Sequence, residues 1–149
     1  MPKRADPRQI AKLVQVQHAR RAAADAVLVE ARDAEMSARE ARDDAQSAAT
    51  AAAGDWSDFL SRPGFAPEYA RDLAARLIAR EASASDAGGR LTLAEGAHMQ
   101  RQDGWRLAEA LVKLADASLI RARRAAARAR EEKRLGALSD RITFGWTQS

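Results

Sequence analysis

The sequence predicts an all-α fold: two long helices forming an antiparallel coiled-coil hairpin, the second helix extending beyond the first. Three observations predict it. The chain of 149 residues holds 37 alanines, 21 arginines and only 12 Gly or Pro residues, a balance that favours helix over strand or turn. Leu, Ile, Val and Phe together number 25, too few for a thick globular core. The apolar residues recur at alternating steps of three and four over most of the length, the period of a helix seam.

The elements follow in order within one domain, 1–149. Asp6-Pro7 opens the first helix, with Asp6 placed to cap free amides and Pro7 at the first helical position. Ser61-Arg62-Pro63-Gly64-Phe65-Ala66-Pro67 is the interior turn, since two prolines and a glycine within five residues end one helix and Pro67 can open the next. Helices are therefore expected over about 7–60 and 68–141, joined by a turn at 61–67. A frayed tail is expected over 142–149, the pattern failing from Thr143.

Stepping by three and then four from Ile10 visits fifteen positions to Phe59, of which only Gln17, Arg20 and Asp55 are not apolar. Every position of that seam from Ala31 to Ala52 is alanine. The same stepping from Leu77 to Ala129 meets only Arg80, His98 and Arg101 as exceptions. With a tight loop making antiparallel neighbours, residue i is expected to face about 128 minus i, placing Asp6 opposite Ala122 and His98 opposite about Glu30. The paired rod would be roughly 80 Å long, with 123 to about 141 projecting beyond it. Gly88, Gly89, Gly96 and Gly104 are expected to interrupt the second helix, either as a local weakening or break near Ser85-Asp86 or as a close contact or hinge.

Charge is sorted along the chain. Residues 1–21 carry six basic side chains against Asp6, and 120–141 carry eight against three acidic ones, each a net +5; residues 22–119 carry 11 basic and 17 acidic, a net of −6. A hairpin brings the two basic stretches together at one end. Three explanations stand beside one another: solvated helix faces, phosphate attraction by a nucleic-acid binder, and an acidic protein surface or ring. No nucleic-acid motif or stacking array accompanies the arginines, which argues against the second. At the turn, Trp56, Phe59, Phe65 and Tyr69 gather four of the seven aromatic residues within 14 positions. They are expected to fill the widening hairpin tip, to form an apolar contact patch, or both.

Other classes are excluded or disfavoured. Without cysteine there is no disulfide or thiolate metal site. Residues 1–21 read as neither signal peptide nor anchor, and no run approaches the ~18 to 20 apolar residues of a membrane span, so a cytoplasmic protein is expected. His18 and His98 would lie too far apart to share a metal, and His98 is expected as a tolerated polar seam residue. The adjacent acidic pairs Asp43-Asp44 and Glu131-Glu132 point to different helix faces. No Walker-type loop occurs. No catalytic residue, cofactor, metal or small-molecule substrate is expected, and the chain is not read as an enzyme.

A length near 150, the basic start from Lys3 to Lys12, an Ala-rich first helix, a Gly/Pro-containing bend and a basic final helix together resemble the FliJ-type stalk proteins of flagellar and related type III secretion export apparatus, to which YscO-type proteins are similar. The local match runs from Trp105 to Leu114 and on through Arg121 to Arg134. Where family tails continue with an acidic Asp-Glu pair, this chain has only Asp140. The resemblance implies an antiparallel hairpin whose terminal end enters the ring of a hexameric export ATPase, while other parts reach the export gate membrane protein and export chaperones. It implies that Arg121, Arg123, Arg124, Arg128 and Arg130 face acidic residues of the ATPase pore, and a location peripheral to the inner membrane through that apparatus. The tip aromatics are candidates for the gate contact from their position alone. The other reading of the same residues is a coiled-coil adaptor or oligomerising rod without an ATPase.

Overall fold

A computed structural model describes residues 6–147. It contains two helices, α1 over Pro7–Ser61 and α2 over Pro67–Thr147, and no strand among the described residues. The fold class is therefore all-α, built from two long helices.

The helix starts follow from local chemistry. Asp6 caps α1: its Oδ1 accepts from the Arg8 amide at 2.9 Å, and its carbonyl accepts from the Gln9 and Ile10 amides. At the other end Arg62 N–H donates to the Phe59 carbonyl, and the chain turns through Gly64, whose φ of 100° belongs to the left-handed region that glycine enters without a Cβ clash. Pro67 then opens α2, with Glu68 in the first turn where a carboxylate meets the positive end of the helix dipole.

The described chain falls into two compact units, 6–24 with 105–147, and Asp25–Gly104. Each pairs a length of α1 with a length of α2. In the 25–104 unit, Glu35 meets His98 while Arg39 meets Glu95; in the other, His18 meets Asp116 while Arg21 meets Glu109. Partner numbers fall as α1 numbers rise, so the pairing is antiparallel in both.

The seam of α2 lies where the sequence predicts. Of the sixteen stepped positions from Leu77 to Ala129, all are buried or half-buried except Arg80 and Arg101. The seam of α1 is corrected. It steps by four and then three, through 10, 14, 17, 21, 24, 28, 31, 35, 38, 42, 45, 49, 52, 56 and 59, all buried or half-buried, while Leu13, Arg20, Ala34, Ala41 and Asp55 face solvent. Eight of the fifteen expected positions are shared and seven move by one; of the seven, Val27 and Ala48 remain half-buried. The expected all-alanine stretch accordingly contains Glu35 and Arg42. The sequence left the phase open because adjacent pairs such as Leu13-Val14 and Ala48-Ala49 serve either stepping equally well.

The covered core is thin: Ala49, Ala52, Ala70, Leu73, Ala87, Leu91, Val112 and Ala115 are the buried apolar residues. Alanine at these positions lets the backbones approach closely, and the few larger side chains supply most of the burial energy.

Three further expectations are corrected. The helix α2 is unbroken across Ser85-Asp86 and through Gly88, Gly89, Gly96 and Gly104. None of those glycines has a neighbour within 4 Å of where a Cβ would stand, so neither break nor close contact explains them; the cooperative helix on either side carries them through. The helix does not end at about 141, since α2 continues to Thr147, and Thr143 Oγ donates back to the Ser139 carbonyl at 2.9 Å; of the expected tail, 148–149 lie outside the described residues. Finally, His98 meets Glu35 instead of Glu30. Side chains lean towards the N-terminus of their own helix, which in an antiparallel pair displaces long partners in the direction of higher summed numbers. Asp6 and Ala122 line one groove, together with α2 residues from Ser118 to Ala126.

Candidate functional site

The basic end belongs to the unit made of 6–24 and 105–147. Its described residues hold fourteen basic and six acidic side chains, a net +8, whereas 25–104 holds nine and fifteen, a net −6. Both terminal segments contribute, since the antiparallel pairing brings Arg8 and Lys12 of α1 into the same unit as the arginines of α2. Lys3 and Arg4 lie outside the described residues.

Arg121, Arg123, Arg124, Arg128 and Arg130 are all exposed on α2. The helical repeat separates them into two groups, 121, 124 and 128 on one face and 123 and 130 on another. Between these faces runs the alanine seam of Ala122, Ala126 and Ala129. Arg121 donates to Ser118 Oγ at 3.4 Å, and its side chain borders a groove of about 480 Å³ lined by Asp6, Pro7, Ile10, Ala122, Ala125 and Ala126 among others. Guanidinium groups so spread present forked donors to carboxylates approaching from several sides. Residues 130–146 are exposed throughout, so α2 outlasts the first helix here.

Inward of the arginines, the unit is held by cross-helix ion pairs. Arg21 Nε lies 2.8 Å from Glu109 Oε2, and Glu109 also meets Lys113 at 3.6 Å. His18 Nε2 lies 3.3 Å from Asp116 Oδ1. Gln17 Oε1 and Trp105 Nε1 are buried polar atoms without a hydrogen-bond partner, each a local cost to the pairing.

The bend belongs to the 25–104 unit. Phe59 is its hub, with ring centroids 5.9 Å from Trp56, 6.4 Å from Phe65 and 5.5 Å edge-on from Tyr69, distances at which aromatic quadrupoles attract. Trp56 and Phe59 are half-buried, so these two fill the tip. Phe65 is 77% exposed, and Leu60 and Tyr69 are also exposed, so the same cluster also presents an apolar surface. A small polar recess of about 130 Å³ between Asp55, Asp58, Arg62 and Tyr69 adjoins it.

His98 occupies its seam position and pairs with Glu35. Among the described residues no group of three or more His, Asp or Glu side chains could hold a metal ion, and no described helix is long and apolar enough to cross a membrane. The cross-helix partners Glu35, Arg39, Glu95, Arg21 and Glu109 were not legible as a set, because they depend on the α1 phase that alanine leaves open. Leu135, Leu138, Ile142 and Trp146 carry a readable helical signal, a spacing of three, four and four, of which the last two positions fall in the expected frayed tail.

Comparison with protein-family models finds no match, and neither the curated proteins nor the solved structures compared with this chain match it. The class defined is thus an all-α, two-helix protein with a basic unit and an acidic one.

Proposed function

We propose that this chain is a non-enzymatic stalk subunit of a flagellar or type III protein-export ATPase complex, as FliJ-type proteins are. The observation that carries the proposal is the sorting of charge by unit: net +8 on the unit whose α2 carries the exposed arginines 121–130, and net −6 on the unit that contains the bend. Arginines facing several directions from one helix suit a partner that surrounds it, as an acidic ring pore would, better than a flat surface. A stalk that binds the assembled hexamer more tightly than separate subunits shifts the assembly equilibrium by linkage, with no chemistry of its own. Phe65 and Tyr69, exposed beside Phe59, are the surface offered to the export gate or to export chaperones.

Sedimentation of a cognate export ATPase with and without this chain tests the reading. The expected result is a shift from small species to a hexamer carrying one copy of the stalk. An unchanged ATPase distribution at saturating stalk concentration contradicts it and leaves the adaptor reading.

A further inference from the structure

The paired length of the unit made of 6–24 and 105–147 has two unlike sides. On one, His18 meets Asp116 and Arg21 meets Glu109. On the other, a groove of about 480 Å³ opens between the helices, with Asp6 of α1 and Ser118, Arg121 and Ala125 of α2 among its lining. Helical steps of three and four carry the α2 wall of this groove back from Ser118 to Leu114, Leu111 and Leu107, and the α1 wall on from Asp6 to Leu13, Val16 and Arg20. His18 and Asp116 stand two residues beyond Val16 and Leu114, about 200° around their helices, which puts the walls opposite the polar contacts. Leu13, Val16, Leu107, Leu111 and Leu114 are all exposed, Leu107 at 63% and Leu114 at 60%. Five large aliphatic side chains thus share one side of the unit, and neither helix covers them.

The charges on this side belong to the face itself. Arg20 and Arg121 stand on the two walls and Arg128 one step past Ala125, with Lys12 and Arg124 a turn before Val16 and Arg128; all five are exposed. Over 6–24 and 105–128 the acidic side chains are Asp6, Glu109 and Asp116. Asp6 accepts from the Arg8 amide, and the other two lie on the far side with Arg21 and His18. The next acidic residue along the α2 wall is Glu132, a turn past Arg128.

This arrangement selects the occupant. A second copy laid by the same face would set Arg20, Arg121 and Arg128 against their own counterparts. Residues 131–147 of a second copy carry exposed Leu135, Leu138, Ile142 and Trp146, but with three basic and three acidic side chains they bring no net charge to match. In the acidic 25–104 unit no helix line carries three exposed large aliphatic residues in succession. We propose that the face binds an amphipathic helix of another protein, its apolar side against the five aliphatic residues and its acidic flanks against Lys12, Arg20, Arg121, Arg124 and Arg128. Residues 107–128 offer it a track of about 32 Å. The inference goes beyond the stalk reading and does not rest on it: Lys12, Arg20 and the aliphatic residues lie outside the arginines assigned to the ATPase ring.

Fluorescence anisotropy of the full chain with labelled synthetic helices of about 21 residues, matched to that track, tests the proposal. The first probe has leucine on one face and glutamate on its flanks, the second has lysine in place of glutamate, and the third keeps the first composition in an order that breaks the apolar face. The glutamate probe should bind one per chain and at least about tenfold more tightly than either of the others, with a preference over the lysine probe that shrinks as salt rises. The exposed-site variant L107S/L114S should keep its helix content by circular dichroism and weaken that binding about tenfold or more. The variant K12E/R20E should narrow the preference for glutamate over lysine to about threefold or less. Equal binding of the three probes, no binding of the glutamate probe, or binding that neither variant changes overturns the proposal. So does a concentration-dependent dimer of the native chain that L107S/L114S dissociates, because a second copy would then occupy the face.

Discussion

Glu35 of α1 and His98 of α2 are hydrogen-bonded across the 25–104 unit, and Arg39 joins the same Glu35 carboxylate at 2.8 Å to Glu95 at 3.5 Å. Around them the seam is mostly alanine, which packs almost equally well after a slip along the helix. The polar cluster is what distinguishes one alignment from its neighbours, the role best attested for polar groups in coiled-coil seams. E35A leaves His98 half-buried without its partner and should cost about 1–2 kcal/mol, whereas H98A leaves Glu35 paired with Arg39 and should cost about 0.5–1 kcal/mol. The double variant E35A/H98A restores an alanine seam and should cost less than the two singles added, a coupling readable in a urea-denaturation cycle. Strict additivity would show that the pair does not act as a unit.

The phase of α1 is testable at Leu13, with the buried Leu73 of α2 as the reference for a core leucine. Leu13 is 49% exposed although the sequence pattern favours it, while Leu73 of α2 is 3% exposed. Leu13→Ala should change stability by no more than about 0.5 kcal/mol, and Leu73→Ala should cost about 2–3 kcal/mol, the low end for a core leucine because the seam is narrow. Equilibrium unfolding of both variants in urea makes the comparison, and a Leu13→Ala loss as large as that of Leu73→Ala would restore the other phase.

Glycine has opposite meanings at two positions. Gly89 lies within the unbroken α2 with open space where a Cβ would stand, so Gly89→Ala should stabilise the chain by about 0.5–1 kcal/mol. Gly64 also has open space but a φ of 100°, so Gly64→Ala should destabilise by about 1 kcal/mol through backbone strain alone. Thermal melts followed at 222 nm would separate the two signs.

The aromatic bend divides in the same way. Phe59 touches three rings and is half-buried, so Phe59→Ala should cost about 2–3 kcal/mol. Phe65 is mostly exposed, so Phe65→Ser should leave stability within about 0.5 kcal/mol. If the bend meets the export gate, Phe65→Ser weakens binding to the gate's cytoplasmic part in a pull-down from purified components. Full retention of binding would confine the aromatics to filling the tip.

Much of this was legible in the sequence, for identifiable reasons. Asp6-Pro7 and Pro63-Gly64 have few conformational options, so the helix start and the bend were readable. The α2 seam was readable because Leu77, Leu91, Trp105, Val112 and Leu119 pin it with bulky side chains. In α1 the middle is alanine on several faces at once, and periodicity there carries little phase information. The ion pairs inherit that ambiguity, since whether Glu35 or Ala34 enters the seam is decided by α2. The glycines misled because their propensity cost is local, whereas a long helix propagates cooperatively from the turns on either side. At the candidate site, exposure of the five arginines followed from their flanking the Ala122, Ala126 and Ala129 seam, while their sharing a unit with Arg8 and Lys12 required the antiparallel fold.

The stalk reading stands most directly on the exposed arginines, and the rate of ATP hydrolysis by a cognate hexameric export ATPase reads them out. Native chain should raise that rate in a saturable way, and the R123E/R124E/R128E/R130E variant, altered only at exposed positions, should keep its helix content and lose the stimulation. Stimulation by the charge-reversed variant equal to that of the native chain, at the same ionic strength, would contradict docking through the basic end of α2.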